Sequence, residues 1–153
     1  MNLAVLLGTL GAGVGLAAGL AFNVRLSGAL GSPLAATLVN FLVGGVLMLA
    51  LWTCGLDGAR PTQVPAGWLL TGGLLGAAYV TLSLLSAARL GVGLSTVSVT
   101  LGQLLGALVI AALGWLDQTP QAPTASSLLS AALLAGAVAL LATDRQRGED
   151  AGR

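Results

Sequence analysis

Apolar side chains in this chain come in long runs, without the alternation of half-buried strands or the one-sided stripe of soluble helices. Five runs approach the roughly 20 residues that a helix needs to cross about 30 Å of hydrocarbon. They cover residues 3–24, 33–54, 67–88, 90–116 and 126–143. Arg25 ends the first run, the turn signal Gly31-Ser32-Pro33 introduces the second, and Arg89 ends the third. Asp57, Arg60, Pro61 and Pro65 mark residues 57–65 as a loop, and Asp117, Pro120 and Pro123 do the same for residues 117–124. The connection around Arg89 and Gly91 is tight. Residues 144–153, DRQRGEDAGR, are too charged for lipid. The pattern predicts an all-α membrane protein: a five-helix transmembrane domain over residues 1–143, then a charged cytoplasmic tail over 144–153. No cation precedes Arg25 and the first run exceeds a signal-sequence core, so it is expected to stay as a helix.

Composition turns that pattern into a statement about solvent. The 153 residues are 56% hydrophobic and 7% charged, and the mean hydropathy is +0.97. Soluble domains carry about a quarter charged residues, so this chain could not cover its own surface in water. A net charge of +1 offers no basic face for nucleic acid. His and Lys are absent and Cys54 is alone, which removes imidazole and thiolate metal sites, His-dependent triads and an internal disulfide. No metal, cofactor or enzymatic activity is expected. No phosphate-cradling glycine loop is followed by Lys and Ser or Thr, so ATP hydrolysis is not the power source.

Arginine counts predict the orientation, because cytoplasmic span ends carry the excess of positive charge. With five spans and the N-terminus outside, Arg25, Arg89, Arg145, Arg147 and Arg153 fall on the cytoplasmic side and Arg60 on the other. Arg25, Arg89, Arg145 and Arg147 are the expected topology anchors. Trp52, Trp68 and Trp115 then all sit at the outer interface, where indole rings belong.

Association of helices in lipid relies on close packing and hydrogen bonds, since lipid tails are as apolar as leucine. Gly11, Gly15 and Gly19 form a row of small residues on the first span, with Gly72 and Gly76 on the third and Gly102 and Gly106 on the fourth. These are the expected packing positions. Polar side chains within spans are the candidates for function. Thr96, Thr100 and Gln103 share one face of the fourth span at i, i+4 and i+7. Asn40 lies inside the second span, Asn23 near the end of the first, and Tyr79 on the third. Some have a plainer alternative: a hydrogen bond to a neighbouring helix for Asn40, a bond to its own helix for each threonine, packing for Tyr79. Asp57, Asp117, Asp144, Glu149 and Asp150 all fall outside the predicted spans, which leaves no carboxylate for proton coupling within the bilayer.

The motifs Asn23-Val24-Arg25-Leu26-Ser27, Leu30-Gly31-Ser32-Pro33 and Asn40-Phe41 with Gly44 resemble the start of YdcZ-type proteins. So do residues 72–81 (GGLLGAAYVT), Arg89-Leu90-Gly91 and Gly102-Gln103-Leu104, in the same order over residues 5–142. The resemblance implies a member of the drug/metabolite transporter superfamily, similar to the small multidrug resistance carriers. It implies a five-helix unit, multi-pass in a bacterial plasma (inner) membrane, forming one half of an inverted-repeat transporter. Family members often carry an Asp where this chain has Ala111, and many have Pro where Ala88 stands. The family also implies antiparallel dimers, built from one dual-topology chain or two oppositely oriented ones. The uneven arginines favour an oppositely oriented homologous subunit over a dual-topology self-dimer. The expected function is a subunit of a secondary transporter for an undefined small molecule, acting by alternating access around Gln103 and Asn40. The alternative is a non-transporting membrane accessory protein that assembles a partner.

Overall fold

The computed structural model describes residues 2–56, 66–115 and 119–151, with Glu149 described by its backbone alone. Five helices follow in order: α1 Leu3–Leu30, α2 Pro33–Thr53, α3 Thr71–Leu90, α4 Val92–Leu113 and α5 Ala125–Ala151. One 3-10 turn, Gly67–Leu70, leads into α3. All five are long and apolar enough to cross a membrane, and no strand occurs among the described residues. In hydrocarbon every backbone N–H and C=O must be satisfied within its own segment, and a helix does that.

Helix ends are where orphan groups remain, and the chain closes several of them with local chemistry. At the end of α2 the Leu56 N–H donates to the Leu51 carbonyl and the Gly55 N–H to Trp52, with Gly55 left-handed at φ 71°. α4 ends the same way: Trp115 donates to Ile110 and Gly114 to Ala111, with Gly114 at φ 63°. Both are Schellman caps, which need a residue that tolerates positive φ. Between α1 and α2 the turn is two residues long. Gly31 caps α1 at φ 65°, the Ser32 hydroxyl accepts from the Ala35 N–H at 3.2 Å, and Pro33 opens α2.

Three boundaries differ from the apolar runs. α1 continues past Arg25 to Leu30, and α5 runs through the charged segment as far as Ala151. A charged side chain ends an apolar run, but it does not interrupt the i to i−4 hydrogen-bond ladder, so the helix outlasts the hydropathy. α4 ends at Leu113, earlier than the run, because Gly114 turns the chain. The expected loop at 57–65, with Arg60, lies outside the described residues, as do Asp117 and Arg153. Residues 119–124 are non-helical, in keeping with Pro120 and Pro123, and the Gln121 N–H returns to the Ala111 carbonyl at 2.9 Å.

The chain divides into two units, Met1–Arg89 and Leu90–Arg153. Within the first, α1 and α2 are neighbours. α3 meets α2 through side chains, with the Phe41 ring 3.6 Å from where a Cβ on Gly76 would sit. Within the second, α4 and α5 pack closely. Thr124 caps α5 by accepting from the Ser127 N–H at 3.2 Å.

Candidate functional site

The threonines show how a hydroxyl is accommodated in these helices. Thr96 donates to the Val92 carbonyl at 2.7 Å and Thr100 to the Thr96 carbonyl at 2.9 Å. Both hydroxyls are thus satisfied by their own helix, which is the plainer of the two roles open to them. Gln103, one further step along the same face, is different. Its amide is exposed and has no hydrogen-bond partner among the described residues. Asn40 on α2 is in the same condition, while Asn23 on α1 is half-buried and equally without a partner there. Tyr79 is exposed on α3.

Two residues not singled out from the sequence make a polar contact between helices of the first unit. Thr37, which is buried, donates to the Pro33 carbonyl at 3.0 Å. The Thr81 hydroxyl lies 3.2 Å from the Thr37 Oγ1 and 2.9 Å from the Ala77 carbonyl. Among the described helical threonines, Thr81 is the one whose hydroxyl reaches another helix. Beside this pair, α2 and α3 leave an open groove of about 550 Å³. Leu34, Leu38 and Phe41 line it from α2, Ala77 and Thr81 from α3, and Ser32 stands at its end. The groove is apolar except for these hydroxyls.

In the second unit Ser95 is fully buried on α4, and its Oγ has no hydrogen-bond partner among the described residues. Leaving such a hydroxyl unpaired costs about 1–3 kcal/mol. Arg145 on α5 approaches the start of α4, its guanidinium nitrogen 3.6 Å from where a Cβ on Gly91 would sit. Gly91 adopts φ 77°, so the one-residue break between α3 and α4 depends on it. Arg25, Arg89 and Arg147 are exposed on α1, α3 and α5. Among the described residues no group of His, Cys, Asp and Glu could hold a metal ion.

The glycine rows behave unequally. Gly76 faces Phe41, but Gly11, Gly15, Gly19, Gly72, Gly102 and Gly106 have no atom within 4 Å of their Cβ positions among the described residues. Those rows are open in the single chain.

Comparison with known proteins assigns the chain. No curated protein and no solved structure matches it. A family model described as "Putative inner membrane exporter, YdcZ" matches residues 4–140. With five membrane-length helices, the exporter description points to a transporter rather than an enzyme. The chain belongs to the YdcZ family of the drug/metabolite transporter superfamily.

Proposed function

We propose that the chain is one subunit of a secondary transporter that works as an antiparallel dimer with alternating access. The observation that carries this reading is Gln103. An amide exposed on an apolar span, with no partner among the described residues, leaves donors and acceptor unpaired in lipid. In a solvent that cannot hydrogen-bond, that costs about 4–8 kcal/mol. A second subunit, a passing solute or a water-filled path relieves that cost, and a carrier supplies all three. Asn40 makes the same demand on its own unit. The open rows at Gly11, Gly15 and Gly19 and at Gly102 and Gly106 give a second subunit places for close approach. The partner is an oppositely oriented homologous chain, because the arginines favour one orientation, N-terminus outside and C-terminus cytoplasmic. Rocking of the two inverted units about their interface then exposes the path to each side in turn.

Cys54 provides the test without any mutation, since it is the single cysteine and it is exposed at the end of α2. Cells are treated with a membrane-impermeant maleimide before and after permeabilisation. Complete labelling from outside is expected of a fixed N-out chain. Half labelling would replace the paired homologue with a dual-topology self-dimer, and protection until permeabilisation would reverse the orientation. Gln103→Leu in reconstituted vesicles tests the transport itself: flux lost with assembly intact is the expected result. Vesicles that show no flux for any solute, while the chain still assembles a partner, would establish the accessory role instead.

A further inference from the structure

The groove between α2 and α3 has a specific chemistry, and it is legible by counting protons and lone pairs. A threonine hydroxyl has one proton to donate and two lone pairs to accept with. The Thr37 proton goes to the Pro33 carbonyl. The Thr81 proton goes to Thr37 Oγ1 or to the Ala77 carbonyl, and both acceptors belong to the wall itself. The lone pairs of Thr81 Oγ1 receive no donor among the described residues. The wall therefore presents an acceptor whose own proton is already committed. No charged side chain lines the groove; the remaining surface is that of Leu34, Ala35, Leu38, Phe41 and Ala77, with Ser32, whose hydroxyl accepts from the Ala35 N–H.

We propose that this groove binds a neutral amphiphile that donates one hydrogen bond, an alcohol, phenol or amide, with its donor on Thr81 and its apolar body along Leu34, Leu38 and Phe41. The volume of about 550 Å³ suits one small molecule, within the about 300–1,000 Å³ of ligand pockets. Ser32, the N-cap of α2 nine residues before Phe41, sets the length at about 13 Å for a rise of about 1.5 Å per residue. An ion would find no counter-charge here. A lipid acyl chain would fill the shape and leave the Thr81 lone pairs unpaired. The inference rests on the transporter reading in one respect: it names the class of cargo.

The test compares a donor with its nearest non-donor. The full chain in detergent micelles is labelled with a diazirine-bearing octylphenol, and labelling is competed with 4-octylphenol or with its methyl ether, which keeps the body and loses the O–H. Adducts are expected on residues 32–41 and 77–81. The phenol is expected to compete about 3- to 10-fold better than the ether, the range of one net hydrogen bond. Thr81→Val should abolish that preference, and Thr81→Ser should restore it. Thr81→Ser also distinguishes a lost acceptor from a disturbed fold. Equal competition by phenol and ether in the wild type would overturn the proposal, as would adducts confined to other helices. Vesicle flux separates this inference from the transporter reading. If the chain moves charged solutes and Thr81→Val leaves that flux unchanged, transport stands and the proposed cargo falls.

Discussion

The threonines of α4 and those of the α2–α3 pair are the same residue type in the same apolar setting, and they do different work. Thr96 and Thr100 return their protons to carbonyls one turn back, at 2.7 and 2.9 Å, and involve no other helix. Thr37 does likewise, but it also accepts from Thr81 across 3.2 Å, tying α2 to α3 beside an open groove. A hydroxyl in a membrane helix is inexpensive because the backbone behind it always offers an acceptor. Its informative part is what the oxygen receives. On α4 the groups left without a partner among the described residues are the Gln103 amide and the buried Ser95 hydroxyl. The first unit carries a polar contact between helices, and both units carry amides without a partner among the described residues, Asn23 and Asn40 in the first and Gln103 in the second.

The largest effect expected from that contrast comes at Gln103. Gln103→Leu should lower flux by more than about tenfold if the amide lines the path, while stabilising the single chain by about 1–3 kcal/mol. Vesicle transport and unfolding in micelles read the two arms separately. A stability loss instead would show that the amide is already paired within the chain. Ser95→Ala is expected next, raising stability by about 1 kcal/mol, because it removes a buried oxygen without a partner. Thermal unfolding measures it, and a decrease would mean that the hydroxyl bonds something in the working assembly.

A double-mutant cycle breaks the threonine comparison directly. Thr37→Val and Thr81→Val should show a coupling of about 0.6 kcal/mol, the average for hydrogen bonds between membrane helices. Thr96→Val and Thr100→Val should show a smaller one, because Thr100 takes the Thr96 carbonyl and not its hydroxyl. Equal coupling in the two pairs would remove the distinction.

The number, order and type of helices were legible from residue types alone, because the length of an apolar run maps directly onto membrane thickness. The ends at Leu30 and Ala151 were not, because hydropathy stops at Arg25 and at Asp144 while the backbone ladder continues. Gln103 and Asn40 were legible as polar groups in apolar runs. Thr37 and Thr81 were not, since the relation of two residues 44 apart depends on how their two helices align. No periodicity within one helix encodes that register. Ser95 escaped for a related reason: its burial is a property of packing, and a serine four residues into a helix looks ordinary.

The glycines offer the finest test of the same contrast. Gly76→Ala would place its methyl 3.6 and 3.9 Å from two atoms of the Phe41 ring, both ordinary contact distances. Gly106→Ala on α4 would meet nothing within 4 Å among the described residues. Both substitutions gain the same helix propensity, so that gain cancels in their difference. What remains is two carbon contacts at about 0.1–0.2 kcal/mol each, favouring Gly76→Ala by a few tenths of a kcal/mol in the unfolding of the single chain. In the assembled protein the order of sensitivity should reverse. A methyl at Gly106 would hold off any helix of a second subunit that packs there, whereas one at Gly76 stays inside its own unit. Cross-linking yield in membranes, set beside unfolding in micelles, distinguishes these outcomes. If Gly106→Ala leaves dimer yield unchanged, the open row on α4 faces lipid, and a subunit interface must be sought on α1, at Gly11, Gly15 and Gly19.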